Sequence, residues 1–438
     1  MSAQADGSSP PAEAASEVPG RPSGSMTSDH VEQSRRVGRF RVTGDVFDVA
    51  VVGGGIVGLA AADALARDRY KVLVVEAEGA IGRHQTGHNS GVLHAGLYYP
   101  PGSRKATLCR AGRQSMLDFC AEQDIPHEVC GKLVVATEPH ELPRLDALEA
   151  RGRANGCVGL RRLGPEEIRE REPAVAGLSA LLVPETGIVD FGRVAAALLE
   201  RARAHGAKLL TDARLLGVQP NATGPRLQTT AGTYHAYRVL NCAGLQADRV
   251  ARLCGADTDV TIVPFRGEYR RLRPHARDLV KHLVYPVPDP ALPFLGVHFT
   301  RTITGDVEIG PDAVLAWSRH GYRRGDVHWP DLREMLGHRG VRRLLLKRWR
   351  TGLAELSRSR SHRLALAAMK RLIPELTVAD IEPARSGVRA QAVGPDGALI
   401  DDFHLVEDPR HVHVLNAPSP AATASLAIGA HIAERVRS

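Results

Sequence analysis

Three glycines carry the first chemical signal in this chain. Gly53, Gly55 and Gly58 stand in the spacing G-x-G-x-x-G, with Ile56 and Val57 filling the gap between the last two. That spacing lets the backbone turn tightly, approach a pyrophosphate with no side chain in the way, and pack the following helix on the preceding strand. The helix start then offers amide N–H groups and the positive end of a dipole to the phosphates. Glu76 follows 23 residues after Gly53, the place where an acid closing the second strand of a dinucleotide-binding unit accepts hydrogen bonds from the adenosine ribose. A plain glycine-rich turn is the alternative, and the acid at this distance argues against it.

Nicotinamide and flavin dinucleotides share the motif. A flavin is enclosed by protein, so further contacts are expected from distant segments, and two strings have the chemistry for it. One is Arg83-His84-Gln85-Thr86-Gly87-His88-Asn89-Ser90-Gly91, in which Thr86, Asn89, Ser90 and Gly91 are small or polar enough to line a pyrophosphate or ribityl chain. The other is Asn416-Ala417-Pro418-Ser419-Pro420-Ala421-Ala422-Thr423-Ala424-Ser425, just before an apolar helix over 426–435. Its helix start, with Pro420, Ala421 and Thr423, would aim N–H groups at a flavin ring where negative charge develops on reduction. A solvated loop and an ordinary capped helix are the alternatives for the two strings.

These residues need elements to hold them. A strand over 46–52, a helix over 59–69 and a strand over 71–75 form a βαβ unit around the glycines. A helix over 105–122, a strand over 131–136, a helix over 192–205 and strands over 208–210, 237–241 and 411–415 continue an alternation that builds a mostly parallel sheet. Between 261 and 312 the pattern changes to closely spaced strand-like runs at 263–272, 283–285, 296–304 and 307–310, interrupted by Pro286, Pro288, Pro290 and Pro293. This reads as an antiparallel sheet in a second domain, covered by helices from 331 to 372. The expected fold is α/β: a Rossmann-type cofactor-binding domain with a second, α+β substrate domain built on an antiparallel sheet. The expected boundaries are a disordered tail over 1–45, a discontinuous cofactor domain of 46–130, 186–260 and 385–438, and a substrate domain of 131–185 and 261–384.

Composition excludes several classes. The 438 residues are 43% hydrophobic and 24% charged, ordinary for a globular protein, and no apolar run reaches the roughly 18 residues of a membrane-spanning helix. Six scattered cysteines without a C-x-x-C pair disfavour a zinc site or redox dithiol and suit free thiols; no metal is expected. Residues 1–20 carry Asp6, Glu13 and Glu17 but no Lys or Arg, so neither a secretory nor a mitochondrial signal is read and the cytoplasm is the expected location. The Ser-, Pro-, Gly- and Ala-rich stretch to about 45 is too poor in apolar residues to offset its ordering entropy, and Met26 is an alternative start.

The net charge of +8 is local: 331–375 holds twelve Lys/Arg against four Asp/Glu, and the rest balances. There Arg342, Arg343, Lys347, Arg348 and Arg350 mix with Leu344, Leu345, Leu346, Trp349, Leu353 and Leu356. Such a helix suits peripheral contact with an anionic membrane on its inner face, with a solvated helix of the second domain as the alternative. Nucleic acid is not an expected partner, because no basic strand is interleaved with aromatics.

Several strings together resemble one family. They are Gly53 to Gly58 with Glu76, Asn89-Ser90-Gly91-Val92-Leu93-His94-Ala95-Gly96-Leu97-Tyr98-Tyr99, Glu185-Thr186-Gly187-Ile188-Val189-Asp190, Asn241-Cys242-Ala243-Gly244, Pro264-Phe265-Arg266-Gly267-Glu268-Tyr269, Tyr285-Pro286-Val287-Pro288 and the 416–425 string. The set is similar to the L-2-hydroxyglutarate oxidase/dehydrogenase group of the D-amino-acid-oxidase-like flavoproteins, over about 45–437. The resemblance implies FAD, held in part by Ala243 and Gly244 and bound non-covalently, since 416–425 has no Cys or His to carry a linkage. It also implies a two-domain fold and oxidation of L-2-hydroxyglutarate to 2-oxoglutarate, with hydride leaving C2 for flavin N5.

That chemistry needs a base for the hydroxyl proton and cations for two carboxylates. His94, in the loop expected near the flavin, is the first candidate base and His298 the second; either could equally be a structural histidine. A dicarboxylate calls for the planar fork of arginine, and Arg266, Arg385 and Arg389 are the candidates, with surface ion pairs as their alternative. Tyr98, Tyr99 and Tyr269 offer hydroxyl donors or core packing. Arg270 and Arg271 depart from the family pattern by making the strand after Tyr269 unusually basic, as does the long N-terminal tail. Expected partners are a small dicarboxylate and an electron acceptor, O2 or a membrane quinone. An amine or amino-acid oxidase of the same superfamily is the alternative activity, and a flavoprotein binding RNA through its basic segment is a more distant one.

Overall fold

The computed structural model describes residues 42–289 and 296–437. The expected tail therefore lies outside the described residues up to 41, as does Met26; residues 42–45 already belong to the first strand, Val42–Val52. Pro290 and Pro293 also fall outside.

Val42–Val52 pairs in parallel with Val72–Val75 on one side and Gly232–Asn241 on the other. Lys208–Leu210 and His411–Asn416 extend the parallel set outward. Val49, Val51, Val72 and Val74 are buried, as near-continuous β-branched runs must be when both faces of a parallel sheet are covered. Antiparallel strands Leu215–Gln219, Arg226–Thr229 and His404–Glu407 complete eight. The helix Ile56–Arg67 is buried nearly all round, and its alanines at 60, 61, 62, 64 and 66 leave room for two neighbours, Phe191–Ala204 and Ser425–Arg437. A Cβ at Gly429 would lie 2.6 Å from the Ala60 carbonyl carbon, so glycine sets the closeness of that crossing.

The second sheet has the strand order Ile381–Val393, Thr261–Leu272, Val307–Leu315, His298–Arg301, Leu283–Pro286, Lys132–Ala136, Ser179–Val183, Arg161–Leu163. Its pairs are antiparallel except Leu283–Pro286 with Lys132–Ala136, which is parallel. One face packs Leu133, Val135, Val284, Phe299 and Ile309 under Ala365, Met369, Leu372 and Ile373, so the helix His362–Lys370 and the turn after it close that side. The sequence pattern had shown no strand over 381–393. This strand lies at the sheet edge, where Pro383 is tolerated because one row of backbone groups needs no ladder partner. It runs across the 384/385 boundary expected between the domains. A small sheet of Val92–Leu93, Gly187–Val189 and His127–Glu128 lies apart from the two large ones. Arg339–Arg360 is broken at Arg348 (φ −115°, ψ 17°), so the basic segment is two helical pieces rather than one. Among the described residues no helix is long and apolar enough to cross a membrane.

Candidate active site

The glycine turn leaves no space for side chains. Gly53 has φ +110°, and a Cβ there would sit 2.5 Å from the Cys242 carbonyl oxygen; one at Gly58 would sit 2.2 Å from the Gly53 carbonyl oxygen. Gly54 N–H donates to Glu76 Oε2 (2.7 Å) and Glu78 N–H to Glu76 Oε1 (2.9 Å), which fixes the buried carboxylate at the strand end. The helix beginning at Ile56 has neither a side-chain cap on Gly55 nor an acid in its first turn. Thr86 reaches it instead, accepting from Ile56 N–H at 3.0 Å. Asn89 folds its amide back onto Gln85, Thr86 and Gly91 and so shapes the loop that ends at Ser90 and Gly91. Ala243 N–H is held by Asn241, and Gly244 (φ +52°) lies close against Gln85. Thr423 accepts from His94 N–H and donates to the Val92 carbonyl, both at 3.1 Å, tying the segment with Pro420 and Ala421 to the chain just after the 83–91 string. An acid-free helix start, a bare glycine turn and small residues at 243, 244 and 421 fit a bound dinucleotide.

Across from this cradle, the strand registers put Arg389, Tyr269, His298, Tyr285 and Lys132 on one face of the second sheet, opposite the apolar core. His298 is 5% exposed and stacks on the Tyr285 ring, with centroids 4.1 Å apart. Its Nδ1 lies 2.8 Å from the Gly296 carbonyl oxygen, which can only accept. Nδ1 therefore carries the proton, and Nε2 keeps its lone pair. Burial holds the His298 pKa down at about 4. His94 enters from the loop above; burial, with Lys132 next, holds its pKa at about 3, its Nδ1 is buried without a partner among the described residues, and its Nε2 is 3.5 Å from Ser419 Oγ. Tyr98 and Tyr99 border the same space, with burial raising both phenol pKa values.

Lys132 was missed in the sequence. It is 1% exposed, with Nζ 4.4 Å from the Tyr98 ring centroid and 5.0 Å from that of Tyr285, and burial brings its pKa down to about 7. The available signal was a lysine opening the otherwise apolar run Leu133-Val134-Val135-Ala136.

Two expected substrate arginines are placed elsewhere. Arg266 pairs across from Val388, one residue out of step with the Phe265–Arg389 pair, so it projects from the opposite face of the sheet to Arg389. There it donates to the Arg323 carbonyl (2.8 Å) and Glu268 (3.1 Å). Arg385 donates to Glu308 (3.0 Å), the Gly87 carbonyl (2.9 Å) and the Asn89 carbonyl (2.7 Å), strapping the cofactor loop to the edge strand. The unusual Arg270 and Arg271 are structural neighbours of Ser359 and Glu382.

The sequence pattern of the FAD-dependent oxidoreductase family matches residues 48–435. The chain belongs to that family. Within it, the chain is 44% identical over 396 residues to the L-2-hydroxyglutarate dehydrogenase of Escherichia coli strain K12, covering 90% of this chain and 93% of that one. It is 41% identical over 410 residues to the mitochondrial L-2-hydroxyglutarate dehydrogenase of Homo sapiens, covering 89% of each. It is therefore a member of the L-2-hydroxyglutarate dehydrogenase group of FAD-dependent oxidoreductases. In fold it is similar to the FAD-bound L-alpha-glycerophosphate oxidase of Mycoplasma pneumoniae (TM-score 0.73, 22% identity, 90% of this chain and 94% of that one). The glycine oxidase of Geobacillus kaustophilus is also similar in fold (TM-score 0.66, 23% identity, 90% and 95%). FAD is the cofactor of the family, and the cradle around Gly53 to Gly58 fits it.

Proposed function

We infer that this chain oxidises L-2-hydroxyglutarate to 2-oxoglutarate. The observation that carries the reading is a cluster of cationic or basic side chains on one side of the second sheet: Lys132 and His298, both buried, with His94 and the more exposed Arg389. Among the described residues no carboxylate acts on Lys132 or His298. A doubly anionic substrate brings complementary negative charge to this cluster. When bound, FAD supplies the two-electron acceptor for the hydrogen at C2.

His298 takes the hydroxyl proton at Nε2, because its Nδ1–H is committed to the Gly296 carbonyl and burial keeps the ring neutral at physiological pH. This reverses the order expected from loop position, which put His94 first. Arg389 meets the carboxylate next to the reacting carbon with two parallel hydrogen bonds, and Tyr98, Tyr99 and Tyr269 wall the substrate in. On the cofactor side, Glu76 accepts the ribose hydroxyls and the amides of 53–58 face the pyrophosphate. Thr86, Asn89, Ser90, Gly91, Ala243, Gly244, Pro420, Ala421 and Thr423 enclose the remainder. The division of labour proposed is thus a cofactor domain on the parallel sheet and a substrate domain on the other.

Anaerobic mixing with each enantiomer of 2-hydroxyglutarate, followed at the flavin absorbance, tests the reading. Bleaching by the L form and not the D form is the expected result. Bleaching by an amine or amino acid but by neither hydroxy acid would move the chain to the amino-acid oxidases of the same superfamily. Electrons then pass to O2 or to a membrane quinone. The quinone route is favoured by Leu346, 78% exposed, and Trp349, 56% exposed, standing among Arg342, Arg343, Lys347 and Arg350. Peripheral binding to anionic vesicles that is lost on replacing both apolar residues is the expected check.

A further inference from the structure

The second sheet spreads the chamber's charged groups out in a row. Counting strands, His298 lies two from Lys132, with Tyr285 between them, and three from Arg389, with Tyr269 between. At about 4.8 Å per strand, Lys132 and Arg389 start about 10 and 14 Å from the His298 strand, on opposite sides of it. Both side chains are long and lie on the same face; Arg389 is also offset along its strand, pairing with Phe265 where the row through His298 crosses the neighbouring strand near Tyr269, and both cations act electrostatically on His298. Of the two, Arg389 acts the more strongly on His298, and Lys132 the more strongly on His94. A linear molecule with a hydroxyl near one end and a carboxylate at each end matches such a row. With its hydroxyl at His298, the carboxylate adjacent to the reacting carbon falls to Arg389, and the other end extends towards Lys132.

We propose that the Lys132 ammonium binds the carboxylate farthest from the reacting carbon and thereby makes the site select dicarboxylates over monocarboxylates. This assignment rests on the hydroxy-dicarboxylate reading of the chamber. The cost of burying a lysine supports it. The ammonium lies against the faces of Tyr98 and Tyr285, and cation–π contacts compensate only part of the lost hydration. The other ionisable groups acting on it are the thiols of Cys109 and Cys157, both protonated at neutral pH because burial raises their pKa values. These neighbours hold the charge in position without neutralising it, so an incoming carboxylate gains a desolvated partner.

The test measures binding of 2-oxoglutarate, glutarate and 2-oxopentanoate to the FAD-loaded enzyme, through their perturbation of the flavin spectrum. In Lys132→Met, affinity for the two dicarboxylates should fall on the order of 100-fold relative to affinity for 2-oxopentanoate. Lys132→Arg, which keeps the charge, should recover most of that ratio. An equal loss for all three ligands, or no loss, would overturn the assignment. FAD content of each variant separates ligand loss from misfolding. Failure of the underlying reading would look different: the parent enzyme's flavin would not be bleached by L-2-hydroxyglutarate whatever residue 132 is.

Discussion

The cofactor cradle and the substrate chamber differ in how their polar atoms are used. In the cradle the protein supplies its own partners: Glu76 holds Gly54, Thr86 holds Ile56, Asn89 holds Gly91 and Thr423 holds His94. In the chamber, His94 Nδ1 and the Tyr98 hydroxyl are buried without partners among the described residues, and the Lys132 ammonium lies against the aromatic faces of Tyr98 and Tyr285. A site built for a ligand that stays can be rigidified from within. One built for a substrate that enters and leaves keeps its hydrogen-bonding capacity open and draws its partners from the ligand.

Breaking the cradle should have the largest effect. Gly58→Ala forces a Cβ against the Gly53 carbonyl, and the purified variant is expected to lack flavin absorbance altogether while retaining its helical circular dichroism. Tight, stoichiometric FAD in this variant would show that the turn is not part of the cofactor site.

Within the chamber the next largest effect belongs to the base. His298→Ala should slow flavin reduction roughly 100-fold or more at unchanged FAD content, and more than His94→Ala does. The opposite order would restore His94 as the base.

The arginines sharpen the comparison further, because they separate the two faces of one sheet. Arg389→Met is expected to lower kcat/KM for L-2-hydroxyglutarate roughly 30-fold, corresponding to about 2 kcal/mol of transition-state binding. Arg266→Met should leave kcat/KM near the parental value and lower the melting temperature modestly instead, since it removes the hydrogen bonds to the Arg323 carbonyl and to Glu268, which keeps Arg324 and Ser359 as partners. Equal kinetic losses in both variants would mean that the register does not separate their roles.

The smallest effect is one of pH. Lys132 has its pKa lowered to about 7 by burial, so the cation is present below that value and is lost as pH rises through it. Affinity for 2-oxoglutarate should therefore weaken above pH 7, at most about tenfold per unit. His94 and His298, held at about 3 and about 4, stay neutral over the same range and add no acidic limb near pH 6.5. Lys132→Arg should flatten the dependence; an unchanged slope would remove Lys132 as its source.

The two regions were also unequally legible before the structure. Gly53, Gly55, Gly58 and Glu76 lie within one βαβ unit, and their meaning depends on local spacing, so the sequence was enough to locate them. Val72 to Val75 could be read as a buried strand for the same reason. The chamber is assembled from residues 94, 132, 285, 298 and 389, and what brings them together is strand order and register. Whether Arg266 or Arg389 faces the substrate turns on the parity of pairing between Thr261–Leu272 and Ile381–Val393, and a one-residue step reverses the answer. No local pattern encodes that parity. Pro383 and the polar residues of the edge strand hid the strand itself.

The strap from Arg385 to the carbonyls of Gly87 and Asn89 has a consequence for the life of the protein before it acquires its cofactor. Gln85 accepts from Ala390 N–H, and the His88 carbonyl packs against Gly387, so the cofactor loop shields much of the outer row of Ile381–Val393. An uncovered edge of this length is a template for pairing with another chain. Newly made or flavin-depleted protein, with that loop loosened, should therefore be the form that self-associates. Riboflavin supply would then set soluble yield as well as activity. Static light scattering of the flavin-free chain, with and without added FAD, would show whether the cofactor acts in this way as a solubility factor.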